Sequence, residues 1–286
     1  MTGHFGRCAA ITVILGLVLV LPARPVARGQ ERKPPCEYIA DILSVSLPDQ
    51  AGQPADIEVT GSDFATYERN LGLDPGFAAT YAGKRVLDVG AGLSEFVDVM
   101  ADDYGADAVA VDVAYAEIDL SDLSPACVEL FYRRRLAMDA QRLLFPSNFF
   151  DLVVSHSLLK WFFLFSPEED EDARLRIRRG MDILGQMVRV ANAGSEIRTT
   201  DFPDPNGEWF AQQHPELVDA YRAAYREFLR PYTGTEASKL EIEFCYHGGR
   251  GYTVIHKLER VPRVDIRGAV SVIRAQGRPP TRPPRQ

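Results

Sequence analysis

Short apolar runs alternate along the chain with longer stretches of helical spacing. Arg85–Val89, Ala108–Val113, Phe150–Ser155 and Glu196–Thr200 are strand-like. Runs this short, flanked by turn residues, fit strands rather than helices. The stretches between them read as helical, one of them strongly marked. There Ser166-Pro167-Glu168-Glu169 joins an N-cap serine, a proline at the first helical position and a glutamate three residues on. Ile177, Met181, Leu184 and Val188 follow at helical spacing and should face the sheet. Strand–helix alternation predicts a parallel sheet covered on both faces. The last part departs from that rule. Leu240–Leu258 is two β-rich runs joined by Gly248-Gly249-Arg250-Gly251, which predicts an antiparallel hairpin closing the sheet. The fold class is therefore α/β, a Rossmann-like three-layer sandwich with a mostly parallel sheet and a C-terminal antiparallel hairpin.

The ends have a different character. His4 and Arg7 precede an apolar run, Cys8–Leu21, and then come Pro22 and the small residues up to Gly29. That is the layout of a secretory signal, with a cut after Ala27-Arg28-Gly29. A full membrane span needs about 20 apolar residues, so the run is short for one. Arg24, Arg28, Arg32 and Lys33 follow it, however, and positive charge tends to stay in the cytoplasm. Three readings stand. A cleaved signal makes the protein secreted or periplasmic. An anchor leaves the domain in the cytoplasm, with membrane contact through residues 8–23. A misassigned start removes the question. Residues 30–36 read as a linker, and 277–286 as a disordered Pro/Arg-rich tail. Between them lie a helical cap over 37–80 and a domain over 81–262, with an insertion at 203–238 on the acceptor side.

Composition narrows the function. The chain of 286 residues carries a formal net charge of −8, which argues against general nucleic-acid binding. Cys36, Cys127 and Cys245 are widely spaced, and Cys8 would leave with a signal. No pair has zinc-ligand spacing, so these are expected to be thiols, and no metal site is expected.

The chemistry concentrates at VLDVGAGLSEF, residues 86–96. A strand ending in Gly90-x-Gly92 brings bare backbone close to a ligand. A pyrophosphate site would add a third glycine three residues on, but Glu95 stands there. Asp88 lies just before the turn. Carboxylates suit a cation better than a phosphate. Asp112, at the end of the next strand and 20 residues past Gly92, can accept both hydroxyls of a ribose. A nucleoside with a positive charge and no need of phosphates fits all three features, and S-adenosylmethionine is such a molecule.

Four blocks in order resemble the class I S-adenosylmethionine-dependent methyltransferases, in particular the small seven-stranded, type 11-like group. These are VLDVGAGLS (Val86–Ser94), VAVDVA (Val109–Ala114), the run Met138–Ser155 and the run Leu184–Phe202. The resemblance covers residues 80–202 and implies S-adenosyl-L-methionine as cofactor. It implies that Gly90 and Gly92 line the methionine part, with Asp88 near its amino group. It further implies Asp112 on the ribose, Val113 against adenine, Asp139 at the adenine amino group and Ala140 supplying a backbone amide. Ser94 departs from the usual third glycine.

Methyl transfer needs a positioned nucleophile, and a base only if the acceptor must lose a proton. Such groups belong at the ends of the fourth and fifth strands. His156 and Asp201 stand there, as base and orienting partner. Trp161, Phe162, Tyr221 and Tyr225 are candidates for the acceptor pocket. Leu217, Tyr221, Tyr225 and Phe228 also form one helical stripe, which packing onto the core would equally explain. The acceptor is expected to be a small molecule. A non-catalytic binding protein of the same fold, exported or membrane-held, and a membrane-associated protein or lipid methyltransferase are the alternatives.

Overall fold

The computed structural model describes residues 45–48, 54–57, 61–118, 120, 125–163, 173–233, 239–247 and 250–259. The signal or anchor at 1–29, the linker at 30–36, the capping signal Ser166–Glu169 and the tail at 277–286 lie outside these residues.

Strands β1 (Val45–Pro48) and β2 (Pro54–Ile57) pair antiparallel, ahead of helices α1 (Phe64–Leu71) and α2 (Pro75–Ala79). The segment expected to be a helical cap thus also holds a strand pair. Seven strands follow: β3 (Arg85–Val89), β4 (Asp107–Asp112), β5 (Arg135–Ala137), β6 (Phe150–Ser155), β7 (Ala191–Thr200), β8 (Leu240–His247) and β9 (Arg250–Lys257). They form one sheet in the order β5-β4-β3-β6-β7-β9-β8. The first five pair in parallel with one another, whereas β9 runs antiparallel to both β7 and β8. This is the expected mostly parallel sheet with a closing hairpin. The strand the sequence hides is β5, whose three residues are too few to show a period.

Alternation along the strands explains the layers. Val86, Leu152 and Val154 face one side, where they join a core with Phe64, Tyr67 and Leu71 of α1 and with Phe96, Val97 and Met100 of α3 (Phe96–Asp102). Leu87, Val89 and Val153 face the other side. Their core includes Ile177, Met181, Leu184 and Val188 of α4 (Ala173–Val190), the stripe read from the sequence. Burying each such aliphatic side chain contributes about 2 kcal/mol.

The insertion holds α5 (Glu208–Gln213) and α6 (Val218–Leu229), the latter led in by a 3-10 turn from Pro215. Leu217, Tyr221 and Phe228 are buried, and Tyr221 has no exposed surface. Its ring lies between Phe163 and Phe210, and its hydroxyl donates to the Pro203 carbonyl at 2.6 Å. Core packing therefore accounts for the stripe at Tyr221. Tyr225 is half-buried beside Phe202.

One detail runs against the sequence reading, and a second lies outside it. Cys127, expected as a thiol, is disulfide-bonded, while Cys245 keeps its thiol. Lys257 is fully buried and donates to Asn148 Oδ1, the Val188 carbonyl and the Ala191 carbonyl. It thus satisfies a carbonyl left open at the end of α4. Burial, aided by the charge of Arg189, lowers its pKa to about 8.

The strand order reverses between β4-β3 and β6-β7. An open α/β sheet binds ligands at such a point, beyond the carboxyl ends of its strands.

Candidate cofactor and acceptor site

At the end of β3 the chain turns through Gly90 (φ +70°) and Gly92 (φ +54°), both in the left-handed region that side chains disfavour. A Cβ on Gly90 would also stand 2.7 Å from Leu158 Cδ2. The bare backbone is thus required twice over. The amides of this turn are already engaged. Gly90 N and Ala91 N donate to the Val111 carbonyl, and Gly92 N donates to Asp112 Oδ2 at 2.9 Å. These three N–H groups leave no nest for a phosphate.

Two carboxylates flank the turn instead. Asp88 follows the alternation of Val86 and points toward α1. It is completely buried, and its Oδ2 accepts from Tyr67 Oη at 2.8 Å and from Ser94 Oγ at 3.2 Å. Its Oδ1 is buried with no hydrogen-bond partner among the described residues. Burial raises the Asp88 pKa to about 7. The charge of Asp112 adds to the rise, while the two hydroxyls and the charge of Arg135 oppose it. Tyr67 is pushed up as well, first by burial and then by Asp88.

Asp112 ends β4 and is partly exposed. Its Oδ1 accepts from Ala114 N at 2.9 Å, which caps the 3-10 turn Val113–Ala116, while its Oδ2 holds Gly92. A carboxylate has about four lone-pair positions, so two stay available for hydroxyl donors. Val113 is 58% exposed, an apolar surface beside that carboxylate. Asp139 caps a 3-10 turn through Gln141 N, and Ala140 begins that turn after β5. The expected cofactor residues thus gather at the ends of β3, β4 and β5. An orphaned carboxylate oxygen, a turn that admits no side chain and an exposed apolar residue beside Asp112 suit a cationic nucleoside.

The residues expected on the acceptor side gather at the ends of β6 and β7. His156 is partly buried. Its Nε2 stands 2.8 Å from Asn70 Nδ2, its Nδ1 stands 3.4 Å from both Ser62 Oγ and Ser157 Oγ, and its ring packs on Tyr67. The carboxylate of Asp201 accepts from its neighbour Thr200 Oγ1, which in turn accepts from Ser157 N. The two candidates are therefore held through different partners: His156 by α1, Asp201 by the strand end. Ser157 (φ +64°) and Asp201 (φ +60°) are non-glycine residues in the left-handed region. Such strain costs about 1–3 kcal/mol and concentrates at functional sites. Trp161 is 64% exposed in the short helix Lys160–Phe163, and Phe162 packs partly against the core.

Sequence reasoning missed Ser62, Tyr67, Asn70 and the real role of Glu95. The last does more than displace a glycine. Its Oε1 accepts from Phe64 N at 2.8 Å and so holds the start of α1. The far end of α1 is held by Arg198, which donates to the Leu71 and Gly72 carbonyls and stacks on Phe77. Asp63 as N-cap marks the helix in the sequence, but no local signal names its partners on β3 and β6.

A family described as "Methyltransferase domain" matches residues 87–195. No curated protein matches the chain. Among solved structures, the chain is similar to a putative S-adenosyl-L-methionine-dependent methyltransferase from Methanococcus maripaludis. That match has 15% identity, covers 69% of this chain and 91% of that one, and gives a TM-score of 0.36. It is also similar to a TehB-like SAM-dependent methyltransferase from Corynebacterium glutamicum, with 17% identity, 63% and 86% coverage and a TM-score of 0.35. An arsenic(III) S-adenosylmethionine methyltransferase from Chlamydomonas reinhardtii matches with 20% identity, 64% and 65% coverage and a TM-score of 0.33. The matched segment begins at Leu87 on β3 and runs into β7, spanning the glycine turn, both acids and the strand-order reversal. Over residues 87–195 the chain matches a methyltransferase domain, which supports S-adenosyl-L-methionine as the cofactor.

Proposed function

We propose that the chain is an active enzyme transferring the methyl group of S-adenosyl-L-methionine to a small-molecule acceptor bound at the ends of β6 and β7. The observation that carries the reading is the strand-order reversal itself. It sets the acid-flanked glycine turn of β3 and β4 beside His156, Ser157 and Asp201. The cofactor supplies a sulfonium methyl already activated for in-line displacement. The chain has three tasks. Asp112 and Val113 hold the nucleoside, and the unpartnered oxygen of Asp88 offers negative charge to the ammonium end. Leu158, against Gly90, excludes water from the floor of the turn. His156 orients the acceptor and takes or lends its proton.

The rim supports a small, partly apolar acceptor, since Trp161 is exposed and Phe162 is only partly covered. Nothing in the reading requires a metal, and the described residues hold no cluster of three metal-ligating side chains. No described helix is long and apolar enough to cross a membrane.

The test is transfer of labelled methyl from the cofactor to an extract separated into small-molecule, protein and lipid fractions. Label should enter the small-molecule fraction and be lost in Asp112→Ala. Label confined to protein or lipid replaces the acceptor class. Cofactor binding without any transfer makes the chain a binding protein.

A further inference from the structure

Helix α1 reaches both halves of the site. Tyr67 and Asn70, three residues apart, share one of its faces. Tyr67 donates to Asp88 beneath the cofactor turn, and Asn70 meets His156 on the acceptor side. Both are almost completely buried, so neither contact is a chance meeting of surface side chains. The helix is held at its start by Asp63 and Glu95 and at its end by Arg198.

We propose that Asn70 is the positioning residue for His156: its side-chain amide decides which imidazole nitrogen carries the proton. This rests on His156 acting on the acceptor. An amide nitrogen can only donate, so Asn70 Nδ2 at 2.8 Å makes Nε2 the lone-pair nitrogen and places the proton on Nδ1. The ring is then a donor toward Ser62, Ser157 and the acceptor. Turning the amide over puts Oδ1 against the ring. Nε2 becomes the N–H, and Nδ1 becomes a base facing the same side. Asn70 Oδ1 is the atom that would make this contact, and as placed it is buried with no hydrogen-bond partner among the described residues. One amide thus selects between the donor and base forms of His156. Among the described residues, three titratable groups stand near the ring or one or two hydrogen bonds from it. Tyr67 stacks on it from α1, Asp88 stands one hydrogen bond beyond Tyr67, and Asp201 connects to the backbone of Ser157 through Thr200.

The test is side-chain nitrogen NMR on the full chain with labelled histidine, the His156 signals being assigned by their loss in His156→Gln. Wild type should show one tautomer, and Asn70→Ala should average the two. Asn70→Asp, nearly the same shape, should keep the ring charged to higher pH and raise its titration midpoint by about one unit or more. Asn70→Asp also serves if Asn70→Ala fails to fold. Either single tautomer in wild type supports the proposal, provided that Asn70→Ala abolishes it. A mixture in wild type, a signature unchanged in Asn70→Ala, or an unmoved midpoint in Asn70→Asp overturns it. Calorimetry with S-adenosyl-L-methionine on the same samples separates this from a failure of the cofactor reading: Asn70→Ala should bind the cofactor as wild type does.

Discussion

The two halves of the site are built differently. On the β3–β4 side the backbone does the holding. Two glycines make the turn, and its amides are satisfied by Val111 and Asp112 on the neighbouring strand. On the β6–β7 side non-glycine residues take left-handed conformations, and a helix from far back in the chain holds the key side chain. On the proposed reading, the first design is a backbone cradle for the cofactor and the second leaves acceptor chemistry to side chains, while α1 touches both through Tyr67 and Asn70.

The largest expected effect separates the charge of the cradle from its shape. Asp88 is an acid whose folded pKa is raised, from 3.8 to about 7. Its contribution to stability is full at low pH and is lost as pH rises between those values. Above pH 7 the buried charge costs up to about 4 kcal/mol. Asp88→Asn should therefore be more stable than wild type at pH 8, and the difference should vanish near pH 4, as read by denaturant unfolding. At the same time it should bind the cofactor less well.

Next is the shape of the turn. Gly90→Val forces a branched side chain into a left-handed conformation against Leu158, at about 2–3 kcal/mol in stability. Cofactor affinity should fall about 100-fold or more, an energetic loss of similar size. An unaffected affinity would show that the turn is not the cradle.

Lys257, at the opposite end of β9 from the turn, is the control. Lys257→Met leaves three acceptors without their donor and should cost about 2 kcal/mol, with cofactor affinity unchanged. The folded pKa of Lys257 is lowered, from 10.5 to about 8, so the fold favours the neutral amine. Wild-type stability should gain a component between those values as pH rises, and Lys257→Met should lack it. Smallest is Tyr221→Phe, which loses one hydrogen bond to Pro203 and about 1 kcal/mol. Wild-type methyl transfer in this variant would place Tyr221 outside the acceptor pocket.

The same contrast explains what could be read in advance. Asp88, Gly90, Gly92 and Asp112 lie within 25 consecutive residues on two adjacent strands, so spacing alone relates them. The parallel sheet and the closing hairpin were legible because apolar runs of five residues or more carry a period. The three-residue β5 carries none. On the acceptor side His156 was visible as a strand-end histidine, but its partner Asn70 lies 86 residues away. No periodicity connects such residues; only the folded sheet brings them together. The disulfide at Cys127 escaped for the same reason, since spacing between cysteines does not report distance in the fold.

The central claim is that the acid-flanked glycine turn is the cofactor cradle. Calorimetry of S-adenosyl-L-methionine and its demethylated product against wild type and Asp112→Ala tests it most directly. Wild type should bind both, and Asp112→Ala should weaken both by about 10–100-fold through loss of charge-assisted hydrogen bonds to the ribose. Equal affinity in the two proteins, or no binding to wild type at millimolar ligand, would contradict the account.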